Sequence, residues 1–166
     1  MLTATPRLVD GQPLLYLGRR YRLKVFEKPV YPSARLFGGC LHVPGGPGWG
    51  PDAVERHVVS WYRDRCAYHF PDRVHHWAER LGVEPPAILI SDSQRDWGSY
   101  DANGVIRLNW RVIQAPMPLV EYIVARELAQ LDYPGHTAAF VRLLGRVMPD
   151  YEGRRVRLKE LGPRLV

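Results

Sequence analysis

Apolar side chains at Val54, Val58, Trp61, Tyr62, Cys66, Phe70, Val74, Trp77 and Leu81 recur at spacings of mostly three and four. That is the period of one face of an α-helix, and it predicts an amphipathic helix running to about Arg80. A stripe of this length must be covered by another layer, so the rest of the chain has to supply that layer. Pro71 falls inside the pattern and is expected to kink the helix or split it in two, because it lacks an N–H and crowds the preceding turn. Upstream, Pro44 to Pro51 reads Pro-Gly-Gly-Pro-Gly-Trp-Gly-Pro. Such a run continues neither strand nor helix and marks a loop, after which Asp52 is expected to cap the helix.

The layer comes from strands and further helices, which makes the fold class α+β. Tyr21-Arg22-Leu23-Lys24-Val25-Phe26 alternates in the manner of a strand, and Gly38-Gly39 between Leu36-Phe37 and Cys40-Leu41-His42-Val43 signals a two-residue hairpin turn. A small antiparallel sheet is therefore expected over about 13–43, ahead of a largely helical core over about 52–161. Ala87-Ile88-Leu89-Ile90 and Val105-Ile106-Arg107-Leu108 read as two more strands, with Asp101-Ala102-Asn103-Gly104 supplying a turn between them. Further helices are expected over about 120–131, from about Thr137 with Phe140, Leu143, Leu144 and Val147 inward, and from Tyr151 to Leu161. With 166 residues and 46% apolar content the chain can bury one good core, and residues 1–166 are expected to form a single domain.

Several function classes are excluded or disfavoured at this level. No run of 18 or more apolar residues is long enough to span a bilayer, and Met-Leu-Thr-Ala-Thr-Pro-Arg at the start lacks a signal-peptide core, so the expected location is cytoplasmic. Cys40 and Cys66 have neither CxxC spacing nor disulfide-scaffold density and read as reduced, small hydrophobic residues. The sequence has no GxSxG elbow, P-loop or GxGxxG. The net charge of +6 and a pI near 9.6 raise nucleic acid as a partner, with arginines at 142, 146, 154, 155, 157 and 164 and Lys159 forming a basic C-terminal region. Acidic residues at Asp150, Glu152 and Glu160 interrupt it, as on an ordinary solvated helix.

The most informative chemistry lies in Val-Glu-Tyr-Ile-Val-Ala-Arg-Glu-Leu-Ala-Gln-Leu at 120–131. Val120, Ile123, Val124, Leu128 and Leu131 form its apolar stripe and leave Arg126 and Gln130 on another face. In an HExxH helix, histidines at i and i+4 bind zinc and the intervening glutamate acts as general base. Here Arg126, Glu127 and Gln130 fill those slots. A guanidinium never offers a lone pair, and a glutamine amide is a poor zinc ligand beside imidazole.

Around this helix stand Ser60-Trp61-Tyr62-Arg63-Asp64-Arg65, Trp77-Ala78-Glu79-Arg80-Leu81-Gly82-Val83, Trp97-Gly98-Ser99, Gly104-Val105-Ile106-Arg107-Leu108-Asn109-Trp110-Arg111 and Ala115-Pro116. His136, Phe140 and Met148-Pro149-Asp150-Tyr151 follow it. In order and spacing these segments, from about Tyr21 to Leu161, resemble the YgjP-like family of small zincin metallopeptidases, relatives of the SprT-like and WLM proteases.

The resemblance implies a zincin-like fold in which two helix histidines and a third past the helix hold zinc. Arg126 and Gln130 stand at the first two ligand positions, His136 at the third and Glu127 at the general base. The family's Arg-Trp-Gly-Ser-Cys run reads Asp96-Trp97-Gly98-Ser99-Tyr100. The implied function is a degenerate peptidase, a pseudoenzyme that binds a peptide or protein segment in the inherited cleft, with no bound metal expected. Two alternatives remain open: an active metal-dependent peptidase built on Glu127 and His136, with Asp132 or Asp96 as further ligands, and a nucleic-acid-associated module. No membrane partner is expected. By the same resemblance a strand at the cleft edge, either 87–90 or 105–108, binds extended peptide by backbone pairing. Trp97, Tyr100 and Asn109 are the binding candidates beside it.

The loss of zinc removes positive charge from a pocket that keeps Glu127, and a buried carboxylate without a partner is costly. Arg126 is therefore expected to act as a cationic stand-in, directly or through Asp96 or Asp101. His42, His57, His69, His75 and His76 share no ligand-like spacing and read as surface or packing residues.

Overall fold

The computed structural model describes residues 8–27, 31–46, 49–101 and 103–165. The N-terminal heptapeptide lies outside them, as do parts of the expected Pro44–Pro51 loop and of the turn at Ala102. Four strands open the fold: β1 (Pro13–Tyr16), β2 (Arg19–Phe26), β3 (Arg35–Phe37) and β4 (Cys40–Pro44). Helix α1 (Pro51–Leu81) follows, then β5 (Ala87–Ser91), β6 (Gly98–Tyr100), β7 (Val105–Asn109), a 3-10 turn over Trp110–Gln114, and helices α2 (Met117–Asp132), α3 (Ala138–Val147) and α4 (Tyr151–Leu161).

The first sheet has the order β1-β2-β4-β3. Gly38 and Gly39 both take positive φ, at 57° and 77°, as a two-residue hairpin turn requires, and they set Phe37 opposite Cys40 and Arg35 opposite His42. The expectation of a wholly antiparallel sheet is corrected: β2 and β4 run parallel, with Leu23 opposite Leu41 and Val25 opposite Val43. The β3–β4 hairpin approaches β2 through β4, so β4 lies inside the sheet and buries Leu41 and Val43.

Every apolar residue of the α1 stripe, from Val54 to Leu81, is buried. Pro71 does not split the helix, which is continuous through it. Both Pro71 and Ala67, whose carbonyl loses its intrahelical partner, are exposed, so water can satisfy that carbonyl. The start is also corrected, because Gly50 is the N-cap, Pro51 opens the first turn and Asp52 sits within it, where its charge favours the positive end of the helix dipole.

Helix α2 is the centre of the molecule. Leu119, Val120, Tyr122, Ile123, Val124, Ala125, Glu127, Leu128 and Ala129 are all buried, by α1 on one side and by α3, α4 and the second sheet on others. A mid-chain helix buried almost all round leaves few routes to solvent, and its polar residues mark one of them. The β1–β2 turn ties the first sheet to this core through Leu17 N–H to Ile113 O (2.9 Å) and Gly18 N–H to Gln114 O (3.0 Å). Cys66 is buried and Cys40 half-buried, both as free thiols, and burial pushes the Cys66 thiol well above its usual pKa. Among the described residues no helix is long and apolar enough to cross a membrane.

Candidate functional site

The second sheet runs β5-β7-β6, with β5 parallel and β6 antiparallel to β7. Strand β6 is thus an edge strand, and it lies against α2. Gly98 makes that approach possible: a β-carbon there would stand 2.8 Å from Glu127 Cγ and 3.1 Å from Oε1. The cleft-edge strand expected at 87–90 or 105–108 is therefore replaced by Gly98–Tyr100, because β7 is the middle strand and β5 lies on the far side of it.

Between β6 and α2 opens a cavity of about 380 Å³, lined by Asp96, Gly98, Ser99, Tyr100, Arg126, Glu127, Gln130 and His136. The structure thus brings together Arg126, Glu127, Gln130, His136 and Tyr100. Glu127 is 1% exposed, which rules out a solvated helix face. Its Oε1 accepts from Arg126 Nε at 2.8 Å and from Nη2 at 2.5 Å, while Gln130 Nε2 is 3.5 Å from Oε2. Adjacent residues on a helix diverge by about 100°. The long arginine side chain nevertheless turns back along α2 to reach its neighbour. Burial by itself lowers the Arg126 pKa, but the charge and hydrogen bonds of Glu127, followed by Tyr122, more than offset this and raise it above the usual arginine value.

His136, just past α2, is exposed and its ring stacks on Phe140 at 5.1 Å and 8°. Thr137 caps α3 beside it, accepting from Phe140 N–H at 3.2 Å. Asp96 lines the cavity and among the described residues has no ion-pair partner, and Asp101 is engaged by Arg107 at 2.7 Å, so neither mediates between Arg126 and Glu127.

Two expected binding residues stand behind the cavity rather than in it. Asn109 is fully buried; its amide donates to Ser93 O (2.7 Å) and Asp96 O (3.1 Å), and its carbonyl oxygen accepts from Arg111 N–H (3.0 Å). It clamps the 92–97 loop that leads into β6. The Trp97 ring packs on Gly162, where a β-carbon would come within 3.0 Å of it. Sequence reasoning missed Tyr122, which is buried with its ring centroid 6.0 Å from the Arg126 guanidinium. Its i−4 spacing from Arg126 was the available signal.

A zinc ion does not fit this donor set. Among the described residues no three His, Cys, Asp or Glu side chains converge as a metal site. Arg126 has no lone pair to give, and Glu127 is committed to it. The arrangement can instead hold a polar or extended ligand between the β6 edge and the Arg126–Gln130–His136 wall.

A family model described as YgjP-like, metallopeptidase domain, matches residues 2–161. The fold is similar to the crystal structure of the metallopeptidase zymogen abylysin of Pyrococcus abyssi, at 23% identity and a TM-score of 0.52, over 58% of this chain and 98% of that one. The metallopeptidase zymogen jannalysin of Methanocaldococcus jannaschii is similar at 20% identity and a TM-score of 0.49, over 54% of this chain and 93% of that one. No curated protein matches the chain.

Proposed function

The chain belongs to the YgjP-like metallopeptidase family, with a zincin-like α+β fold, and from that premise we propose that it is a non-catalytic member whose cleft holds a peptide or protein segment. The observation that carries this reading is the Arg126 guanidinium lying on the Glu127 carboxylate. A general base must present a free lone pair to water. Here one Glu127 oxygen receives two charge-assisted donors and the other faces Gln130, so the carboxylate is used to balance charge and hold the pocket closed around itself.

The cleft keeps a means of binding. Among the described residues β6 pairs with β7 alone, and its residues line the cavity, so its second edge can accept an extended segment as a further strand. Backbone pairing along Gly98–Tyr100 supplies affinity without requiring a metal, and Arg126 favours a carbonyl or carboxylate on the bound segment.

The test is zinc content by mass spectrometry after incubation with zinc and dialysis, run beside Arg126→His/Gln130→His, together with cleavage of an unfolded protein substrate. Near-zero zinc and no cleavage in the native protein, with about one equivalent in the double variant, is the expected result by the ligand count of a zincin site. Stoichiometric zinc in the native protein, with cleavage abolished by Glu127→Gln, would overturn the proposal and establish a working peptidase built on Glu127 and His136.

A further inference from the structure

The first sheet carries a second surface that the cleft does not use. Side chains alternate across a strand, so with Leu23, Leu41 and Val43 turned into the core, Arg22, Lys24 and Phe26 of β2, His42 of β4, and Arg35 and Phe37 of β3 share the outer face. Register makes them neighbours, since Lys24 is opposite His42, His42 is opposite Arg35, and both Arg22 and Phe37 are opposite Cys40. The rings form a contiguous group: Phe26 and His42 have centroids 4.9 Å apart, and Phe37 meets His42 edge-on at 5.9 Å. Lys24 Nζ lies 5.3 Å from the Phe26 centroid, and the Arg35 guanidinium stacks 4.0 Å over Tyr31.

Charge on this sheet is one-sided. The four strands contain five Arg or Lys and no Asp or Glu, and the carboxylate of Asp10 beside them is taken up by the Val25 N–H at 2.8 Å. Among the described residues none of these five cations makes an ion pair. On α4, by contrast, Arg154 is neutralised by Asp150 and Glu121, and Arg155 by Glu152.

Two plain explanations account for part of this face and not the whole. Charge on an edge strand discourages sheet-to-sheet pairing. That covers Arg35 on β3 but not Arg22 and Lys24, which stand on β2 with partners on both sides. Solubility covers the charges but not Phe37, left 75% exposed among them.

We infer that this face is a platform for single-stranded nucleic acid. Arg22, Lys24 and Arg35 take phosphates, and Phe37, supported by Phe26 and His42, takes a base by stacking. Cations alone would suit any polyanion, whereas exposed rings between them suit a strand whose bases are unpaired. A duplex keeps its base faces covered, and the Asp and Glu side chains that make a peptide acidic bring no ring to lay on Phe37.

The experiment is fluorescence anisotropy of the full chain with a labelled oligodeoxythymidylate, a duplex of equal length and a polyglutamate peptide of equal length. The single strand is expected to bind most tightly. The slope of log K against log salt should be roughly −2, from about −0.7 for each of three phosphates. Phe37→Ala should weaken binding roughly 5- to 150-fold, the range for losing one stacked base. Because Phe37 is exposed, its truncation leaves the core intact, and an unchanged Tm certifies the variant as folded. Arg22→Glu/Lys24→Glu should weaken binding and flatten the salt slope, while Arg155→Glu/Arg157→Glu on α4 should change little. The inference is overturned by no binding at low salt, by duplex or polyglutamate binding as tightly, by folded Phe37→Ala binding as well as the parent, or by loss of binding only in the α4 variant.

Discussion

Replacing Arg126 by alanine should show how much of the pocket's stability rests on charge. The Glu127 side chain is 2% exposed and that of Arg126 is 22% exposed, so the substitution leaves an almost fully buried carboxylate whose remaining partner among the described residues is Gln130. Removing one partner of a fully buried ion pair costs about 3–5 kcal/mol. Because the arginine reaches the open cavity, water can enter in its place, and the figure falls to about 2–4 kcal/mol. For a chain of 166 residues that corresponds to a drop in Tm of about 6–11 °C. The assay is thermal unfolding of four proteins: parent, Arg126→Ala, Glu127→Gln and the double variant. With the charge at 127 removed, Arg126→Ala should cost under about 1 kcal/mol, the residue being lost packing of the arginine stem near Tyr122. An equal loss in both backgrounds would refute the reasoning, since Arg126 would then act through packing. A drop of less than about 2 °C in the parent would refute it as well.

Other expectations follow from the same geometry. Gly98→Ala should destabilise by about 1–3 kcal/mol through forced contact with Glu127, and by less when Glu127 is also truncated, as measured by denaturant unfolding. Asn109→Ala leaves the buried Arg111 N–H without its acceptor and releases the part-buried Ser93 and Asp96 carbonyls, and should cost about 1–3 kcal/mol, with faster hydrogen exchange confined first to residues 92–97. His69, bonded to the Tyr16 hydroxyl at 2.8 Å, has its pKa lowered from 6.5 by burial, then by Arg65 and Arg73, against a weaker pull from Asp72. A depressed folded pKa means that the unfolded chain binds the proton first. The His69 contribution to Tm should therefore be flat above about pH 7 and fall away as pH drops through 6.5 and below, and His69→Gln should remove that part of the slope.

The helices were legible in the sequence to within a few residues because each has an apolar face at helical period and a chemical stop. Gly82 takes φ 74° and closes α1 through its N–H to the Ala78 and Glu79 carbonyls, and Thr137 caps α3. The Gly38-Gly39 turn was legible for the same kind of reason, since two successive residues at positive φ admit few alternatives. The parallel pairing of β2 with β4 was not legible, because strand alternation fixes which side chains share a face and says nothing about which neighbour a strand chooses. Nor was β6: Gly98-Ser99-Tyr100 is three residues long and opens on a glycine, too short and too weak in strand propensity to detect, and it is a strand because β7 on one side and α2 on the other hold it extended.

The site divides along the same line. The residue types at 126, 127, 130 and 136 were enough, by themselves, to raise the expectation that a zinc site of the family's kind would be short of donors, because lone pairs and charges belong to residues wherever they sit. Only the folded chain decided that Glu127 is buried, that Arg126 folds back onto its own neighbour, that Asn109 is buried and clamps the 92–97 loop, and that the cations of β2 and β3 meet aromatic rings on one open face. Burial and juxtaposition depend on which distant segments pack together, and a local pattern of residues carries no record of that.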